Sequence, residues 1–194
     1  MQFTKEFLYA FNHTMLFEVG AFWNPNDPEV IAGLVETREQ RRKVGYVNIP
    51  QDRGGLTKYG VAQNANPRVD VQNLNLAGAM RVYFDAYWTP ARCNQIPYPV
   101  QIMHFDAAVN HGVGTAARML QEAVGATPDG VIGPATLAKL QAMNPAELIN
   151  RLNSIRVARF NRIVQRNPSQ QMFLRGWLNR AAAVHKYTLA QLAG

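Results

Sequence analysis

The stretch Tyr46–Pro67, YVNIPQDRGGLTKYGVAQNANP, decides how this chain is read. Its prolines, glycines and amides interrupt the helical spacing that governs the rest, leaving short β-like pieces around Pro50 and Gly54-Gly55. Residues of this kind punctuate turns, so the stretch predicts one small hairpin. It also carries a carboxylate, Asp52, with Thr57 five residues on. An acid in a region built as a turn asks for a chemical explanation.

The flanks read as helices. Phe3, Phe7, Phe11 and Met15 recur every four residues, with Leu8 and Leu16 beside them, which predicts an opening helix. Glu18 falls just after that stripe, and Gly20 is its stop. A second helix is predicted from Asp27 as N-cap and Pro28 at the first helical position, through Val30, Ile31, Leu34 and Val35, to a basic last turn and Gly45. Beyond Asn75, Met80, Tyr83, Phe84, Tyr87 and Trp88 form another stripe, read as core. CNQIPYP, Cys93–Pro99, reads as a connector between lobes. Further helices are predicted at about 98–111, 115–124, 134–142, 145–166 and 169–190, with Pro134, Pro145 and Pro168 near their starts. The fold class is mainly α, with one small β-hairpin in the N-terminal lobe.

Composition narrows the chemistry. The 194 residues, 47% hydrophobic, can bury one full core or a core with a smaller lobe. No apolar run approaches the roughly 20 residues that span a bilayer. The first 20 residues lack the pattern of a signal peptide. Cys93 stands alone, which excludes an internal disulfide and fits synthesis in a reducing cytoplasm. His13, His104, His111 and His185 are scattered without zinc spacing, and no phosphate-cradling glycine motif is present. No metal and no cofactor are therefore predicted. The net charge is +7, yet from Lys139 onward there are nine basic residues and one acid, Glu147. Nucleic acid, an anionic membrane surface and an anionic wall polymer all suit such a tail, and so does a plain solvated helix face. Arg156, Arg159, Arg162 and Arg166 recur in it at helical spacing.

A helix-end glutamate followed by an aspartate in a hairpin suits cleavage of a glycosidic bond. One carboxyl must stay protonated to serve the leaving oxygen, and the other must be ionised. Met15, Leu16, Phe17, Val19, Phe22 and Trp23 surround Glu18 in sequence and would desolvate it, raising its pKa. Asp52 has polar, glycine-rich neighbours that keep it charged, and Thr57 would hold a water beside it. The bland alternative is a surface glutamate and a turn-forming aspartate. Asp106, Asn110 and His111 form an i, i+4, i+5 helical cluster, suited to a cleft or, more simply, to buried hydrogen bonding.

Glu18-Val-Gly20 together with Asp52–Val61, DRGGLTKYGV, resembles the signature of glycoside hydrolase family 108, the N-acetylmuramidases of phage endolysins and related bacterial proteins. Val82–Trp88, VYFDAYW, is similar to the family's following helix. Phe105–Leu140 looks like its predicted peptidoglycan-binding region, and Phe173–Arg180, FLRGWLNR, its closing helix. The resemblance implies a lysozyme-like helical fold, with a catalytic lobe at 1–97, a helical lobe at 98–194 resembling a peptidoglycan-binding region, and the two packed as one compact unit. It implies Glu18 as general acid and Asp52 with Thr57 at the attacking water. The spacing of that Asp and Thr is similar to that in inverting phage lysozymes. Tyr46, Tyr59 and Gln63 would line the saccharide cleft, with Asn110 as a further substrate-binding residue.

Two departures stand out. Val19 replaces the family's first glycine, and Tyr46 follows only after an insertion at about 21–45. Asp27 thereby becomes a rival to Asp52, because it stands where an uninterrupted motif would put its aspartate. The expected function is hydrolysis of the β-1,4 bond between N-acetylmuramic acid and N-acetylglucosamine in peptidoglycan, by inversion, for host cell lysis. The expected enzyme is a monomer made in the bacterial cytoplasm and acting in the periplasm. Its partners are peptidoglycan and an anionic envelope surface met by the basic helices, with no nucleic acid. A lytic transglycosylase using Glu18 alone and a non-catalytic wall-binding protein are the alternatives.

Overall fold

The computed structural model describes residues 3–31, 46–47 and 54–192. Its contacts divide the chain into two compact units, Met1–Ala86 and Tyr87–Gly194. The division falls inside a π-helical turn, Phe84–Trp88, ahead of the Cys93–Pro99 connector that the sequence points to. The reason is packing. Trp88, Cys93 and Ile96 are all buried, and the Trp88 ring meets Phe105 edge-on at 5.6 Å inside the second unit.

The first unit opens with helix α1, Lys5–Glu18. Thr4 caps it, its hydroxyl accepting the Phe7 N–H at 3.3 Å, as an N-cap threonine should. Phe7, Leu8, Phe11 and Met15 are buried, so the four-residue stripe is the core face. Val19 N–H donates to the Met15 carbonyl, and Gly20 at φ +69° turns the chain away in the left-handed region that suits glycine. Helix α2 is Pro28–Ile31, with Pro28 at its first position. The rest of the predicted second helix, including Leu34, Val35 and Gly45, lies outside the described residues.

Strands β1, Thr57–Lys58, and β2, Val61–Ala62, pair antiparallel, with Thr57 opposite Ala62 and Lys58 opposite Val61. Val47 forms a further antiparallel bridge to Thr57. The hairpin thus turns at Tyr59-Gly60, several residues beyond Gly54-Gly55. Tyr59 at φ +53° and Gly60 at φ +74° give the two positive torsions of the turn whose twist matches a two-residue hairpin. Helix α3, Leu76–Tyr83, is capped by Asn75, which accepts the Gly78 N–H at 2.8 Å.

The second unit holds α4, Val100–His111; α5, Val113–Ala123; α6, Pro134–Ala142; α7, Pro145–Arg166; and α8, Gln171–Ala190. Residues 100–108 of α4 are all buried, and α4 packs on α5, α7 and α8. A helix covered on every side needs little amphipathic pattern. Pro145 starts α7, and Asn144 accepts from the Ala146 and Glu147 N–H groups at 2.9 and 3.2 Å. The Asp129–Thr136 segment, DGVIGPAT, closes on the buried Gln121 amide. Gln121 accepts from Gly130 N–H at 2.8 Å and donates to Asp129 at 2.7 Å and to the Val131 carbonyl at 3.0 Å. The bond from Gln121, and after it one that the Asp129 carboxylate accepts from the Val131 N–H at 2.8 Å, lower the Asp129 pKa.

The chain is therefore mainly α with a two-stranded antiparallel hairpin in its first unit, as the sequence predicts. Among the described residues no helix is long and apolar enough to cross a membrane, and no group of three or more His, Cys, Asp or Glu could hold a metal ion.

Candidate active site

Glu18 is the last residue of α1 and is half-buried. A relay of rings holds its surroundings. Phe11 meets Tyr83 edge-on at 5.5 Å and stacks on Trp23 at 6.3 Å, and Trp23 lies 6.0 Å from Tyr59. Buried Asn12 fixes the chain after the Gly20 bend, its amide donating to the Leu8 carbonyl at 2.8 Å and accepting the Trp23 N–H at 3.0 Å. A glycine is required at 60 for the hairpin to reach this wall. A Cβ added there would sit 2.5 Å from the Tyr83 hydroxyl and 3.6 Å from the Glu18 Cβ. The hairpin turn is therefore seated directly against the end of α1, bringing the Thr57 strand into the same unit as the glutamate.

Thr57 lies between two strand segments. Its N–H and C=O pair with Val47 at 2.8 and 2.9 Å, and Ala62 is its partner on the other side. Its hydroxyl donates to the Gly55 carbonyl at 3.3 Å. Tyr46, next to Val47, is 50% exposed. Tyr59 is 1% exposed, its ring against Trp23, so it presents no aromatic face to a sugar. Gln63 is engaged with its own loop: it donates to the carbonyls of Asn66 and Val69 at 3.1 and 2.8 Å and accepts the Val71 N–H at 3.3 Å. Asp52 lies outside the described residues. Asp27 is half-buried, directly before α2, and its N–H donates to the Asn24 carbonyl at 3.0 Å.

The residues expected to enclose Glu18 divide. Met15 and Trp23 are buried, whereas Leu16 is 40% and Phe22 51% exposed. Leu16 sits one step off the buried stripe of α1, and Phe22 follows the Gly20 bend. Phe22, which the sequence reading counts among the groups that desolvate Glu18, stands half in solvent. Its position past a helix stop was the signal that it need not join the core.

Asn110 lies in the second unit, where it accepts from Arg156 at 3.3 Å. The helical cluster around it is an internal charge site. Fully buried Asp106 pairs with Arg156 at 2.6 Å and with Arg180 at 2.8 Å, Arg180 also donating through Nε at 3.1 Å. Burial pushes the Asp106 pKa up, but the two guanidinium charges and their hydrogen bonds outweigh it and hold it below the usual carboxylate value. His111, against the Phe160 ring at 5.2 Å, is driven down to about 3 by burial first and then by Arg156 and Arg159. Arg156, counted from the sequence among the surface cations, is thus a core residue.

The chain matches the family described as Glycosyl hydrolase 108 over residues 40–112. That span includes Tyr46, Asp52, Thr57, Tyr59, Gln63 and Asn110, and begins after Glu18. Residues 115–182 match the family described as a predicted peptidoglycan domain, a region running from α5 into α8 and starting later than the 98–194 lobe read from sequence. Among solved structures, SagA of Brucella abortus is similar, with 30% sequence identity and a TM-score of 0.63. The match covers 76% of this chain and 87% of that one. No curated protein matches.

Proposed function

Because the chain belongs to the glycosyl hydrolase 108 family, a family of glycoside hydrolases acting on peptidoglycan, we propose that it is an N-acetylmuramidase. It cuts the β-1,4 bond between N-acetylmuramic acid and N-acetylglucosamine. The observation that carries this reading is the seating of the Tyr59-Gly60 turn against Glu18, with Thr57 on the same hairpin.

Glu18, protonated, donates to the glycosidic oxygen as the C1–O bond breaks. A water attacks C1 from the opposite face, held by the Thr57 hydroxyl, and Asp52 accepts its proton. One water is consumed, the anomeric centre inverts, and proton exchange with solvent restores both carboxyls. Inversion needs the two carboxyls about 6.5–9.5 Å apart, to leave room for that water. Tyr46 and Phe22 supply the exposed aromatic surface on which a sugar ring stacks. No cofactor enters the reaction. Peptidoglycan is the partner to which the 115–182 match points. The enzyme is an endolysin for phage-type host lysis, made in the bacterial cytoplasm and acting as a monomer on the wall in the periplasm.

The test is digestion of purified sacculi with mass and NMR analysis of the products. Muramidase action gives reducing N-acetylmuramic ends carrying an added water, with the α-anomer appearing first. Anhydro ends, one water lighter, would instead identify a lytic transglycosylase. Sacculi bound without products would identify a wall-binding protein, and an initial β-anomer would replace inversion by retention.

A further inference from the structure

At the junction of α7 and α8 the interior reaches the surface along one line of rings. Phe160 is 2% exposed; Trp177 stacks on it at 5.3 Å, and Phe173 stacks on Trp177 at 6.0 Å. Phe173 is 46% exposed, and Met172 beside it is 78% exposed. The Phe160–Trp177 pair fixes the register of the two helices. Arg162 and Arg166 near the end of α7 therefore lie at the same end of the hairpin as Arg175 near the start of α8. All three arginines are exposed.

From Leu148 to the last residue the sequence has eight basic residues and no acidic one. Arg156 and Arg180 close on Asp106, and Arg151 closes on Glu147. The three arginines at the tip sit in a segment with no carboxylate of its own. A soluble polyanion would use these cations and leave Met172 and Phe173 in water. A surface that is anionic outside and apolar beneath uses both, and a lipid bilayer with anionic headgroups is such a surface.

We infer that the α7–α8 tip docks the protein on an anionic lipid bilayer. Met172 and Phe173 enter the boundary between headgroups and acyl chains, and Arg162, Arg166 and Arg175 hold lipid phosphates. This surface is built from α7 and α8 alone and does not depend on the reaction assigned to Glu18.

The test is co-sedimentation of the full chain with vesicles of phosphatidylglycerol and phosphatidylcholine, against phosphatidylcholine alone. The native protein binds the anionic vesicles and not the neutral ones, and added salt weakens the binding. Met172→Ser with Phe173→Ser lowers partitioning about tenfold, since two exposed apolar anchors are lost. Arg162→Gln, Arg166→Gln and Arg175→Gln together lower it about 100-fold. Both variants keep the native melting temperature, because the substituted side chains are exposed. Brominated acyl chains quench Trp177, whereas Trp23 and Trp88 are buried, so Trp177→Phe removes the quenching. Native protein that ignores anionic vesicles, or a serine variant that binds them equally, overturns the inference. Equal binding to soluble polyphosphate, insensitive to the serines, would assign a polyanion. A dimer abolished by the serines would assign a second copy of the chain.

Discussion

The Tyr83 hydroxyl donates a 3.2 Å hydrogen bond to the Tyr59 carbonyl and so fixes the hairpin turn against the end of α1. Gly60 is what lets the two approach, at φ +74° and with no room for a Cβ beside that hydroxyl. Gly60→Ala should cost about 1–3 kcal/mol, from a left-handed torsion and a clash combined. Tyr83→Phe alone should cost about 1 kcal/mol, the net value of one hydrogen bond. Removing the hydroxyl also makes space, so the double variant should lose less than the sum of the two. Denaturant midpoints of the three variants check this, and strict additivity would mean that the turn and the ring do not share a wall.

The helices were legible because their stripes and start signals agree. Asn75, Pro134 and Asn144-Pro145 stand at or next to the starts read from sequence. The hairpin turn was displaced because Gly54-Gly55 looks like the stronger turn signal. Gly55 does take a positive φ of +66°, but it packs against Asn64, while a tyrosine carries the first left-handed torsion of the actual turn. The rings around Tyr59 hold that tyrosine in place, and such tertiary support leaves no mark at the local level. Tyr59 and Gln63 are read as cleft residues from residue type alone. The structure buries the Tyr59 ring and engages Gln63 in hydrogen bonds to its own loop, which residue type does not disclose.

The arginines of α7 show the same limit. Steps of three residues turn a helix by about 300°, so Arg156, Arg159 and Arg162 drift about 60° at each step. Arg156 ends buried against Asp106, while Arg162 and Arg166 are exposed. Arg156→Gln should therefore destabilise by about 3 kcal/mol, the low end for breaking a buried ion pair, because Arg180 still holds Asp106. Arg166→Gln should stay within about 0.5 kcal/mol. Thermal unfolding of the two variants decides between a core and a surface assignment.

Two histidines in the second unit should make stability sensitive to acid. Burial drives the His104 pKa down to about 4, against the smaller upward pull of its hydrogen bond at the Ala91 carbonyl. An unfolded histidine takes its proton near 6.5, so below that pH the unfolded chain binds a proton that the folded chain refuses. Stability should fall as pH drops from about 6.5 to about 4 and then level off for this group, a loss of about 3 kcal/mol. His111, driven down to about 3, adds in the same direction. His104→Gln should make the pH dependence of the denaturant midpoint shallower over that window. An unchanged slope would locate the acid sensitivity elsewhere.

Glu18→Gln should keep the fold and remove activity on sacculi by about 10²–10⁴-fold, since an amide cannot protonate the leaving oxygen. Glutamine has nearly the same shape as glutamate and residue 18 is only half-buried, so the melting temperature should be close to native. More than about a tenth of native activity would mean that Glu18 is not the general acid.

The second carboxyl separates by the same substitution at two positions. Asp27 immediately precedes Pro28, the first residue of α2, where asparagine serves as well as aspartate in capping a helix. Asp27→Asn should therefore lose only a modest dipole interaction, about 0.3–1 kcal/mol, and leave turnover intact. If Asp52 takes the proton of the attacking water, Asp52→Asn removes that base. Its activity should fall severely at an unchanged melting temperature, and the native enzyme should release the α-anomer first. Assays of both variants on the same sacculi give three readable outcomes. A dead Asp52→Asn beside an active Asp27→Asn identifies Asp52 as the base. The reverse result would transfer that role to Asp27 and make the residues 21–45 insertion part of the catalytic apparatus. Two active variants would leave Glu18 as the single carboxyl, and the products should then carry anhydro ends.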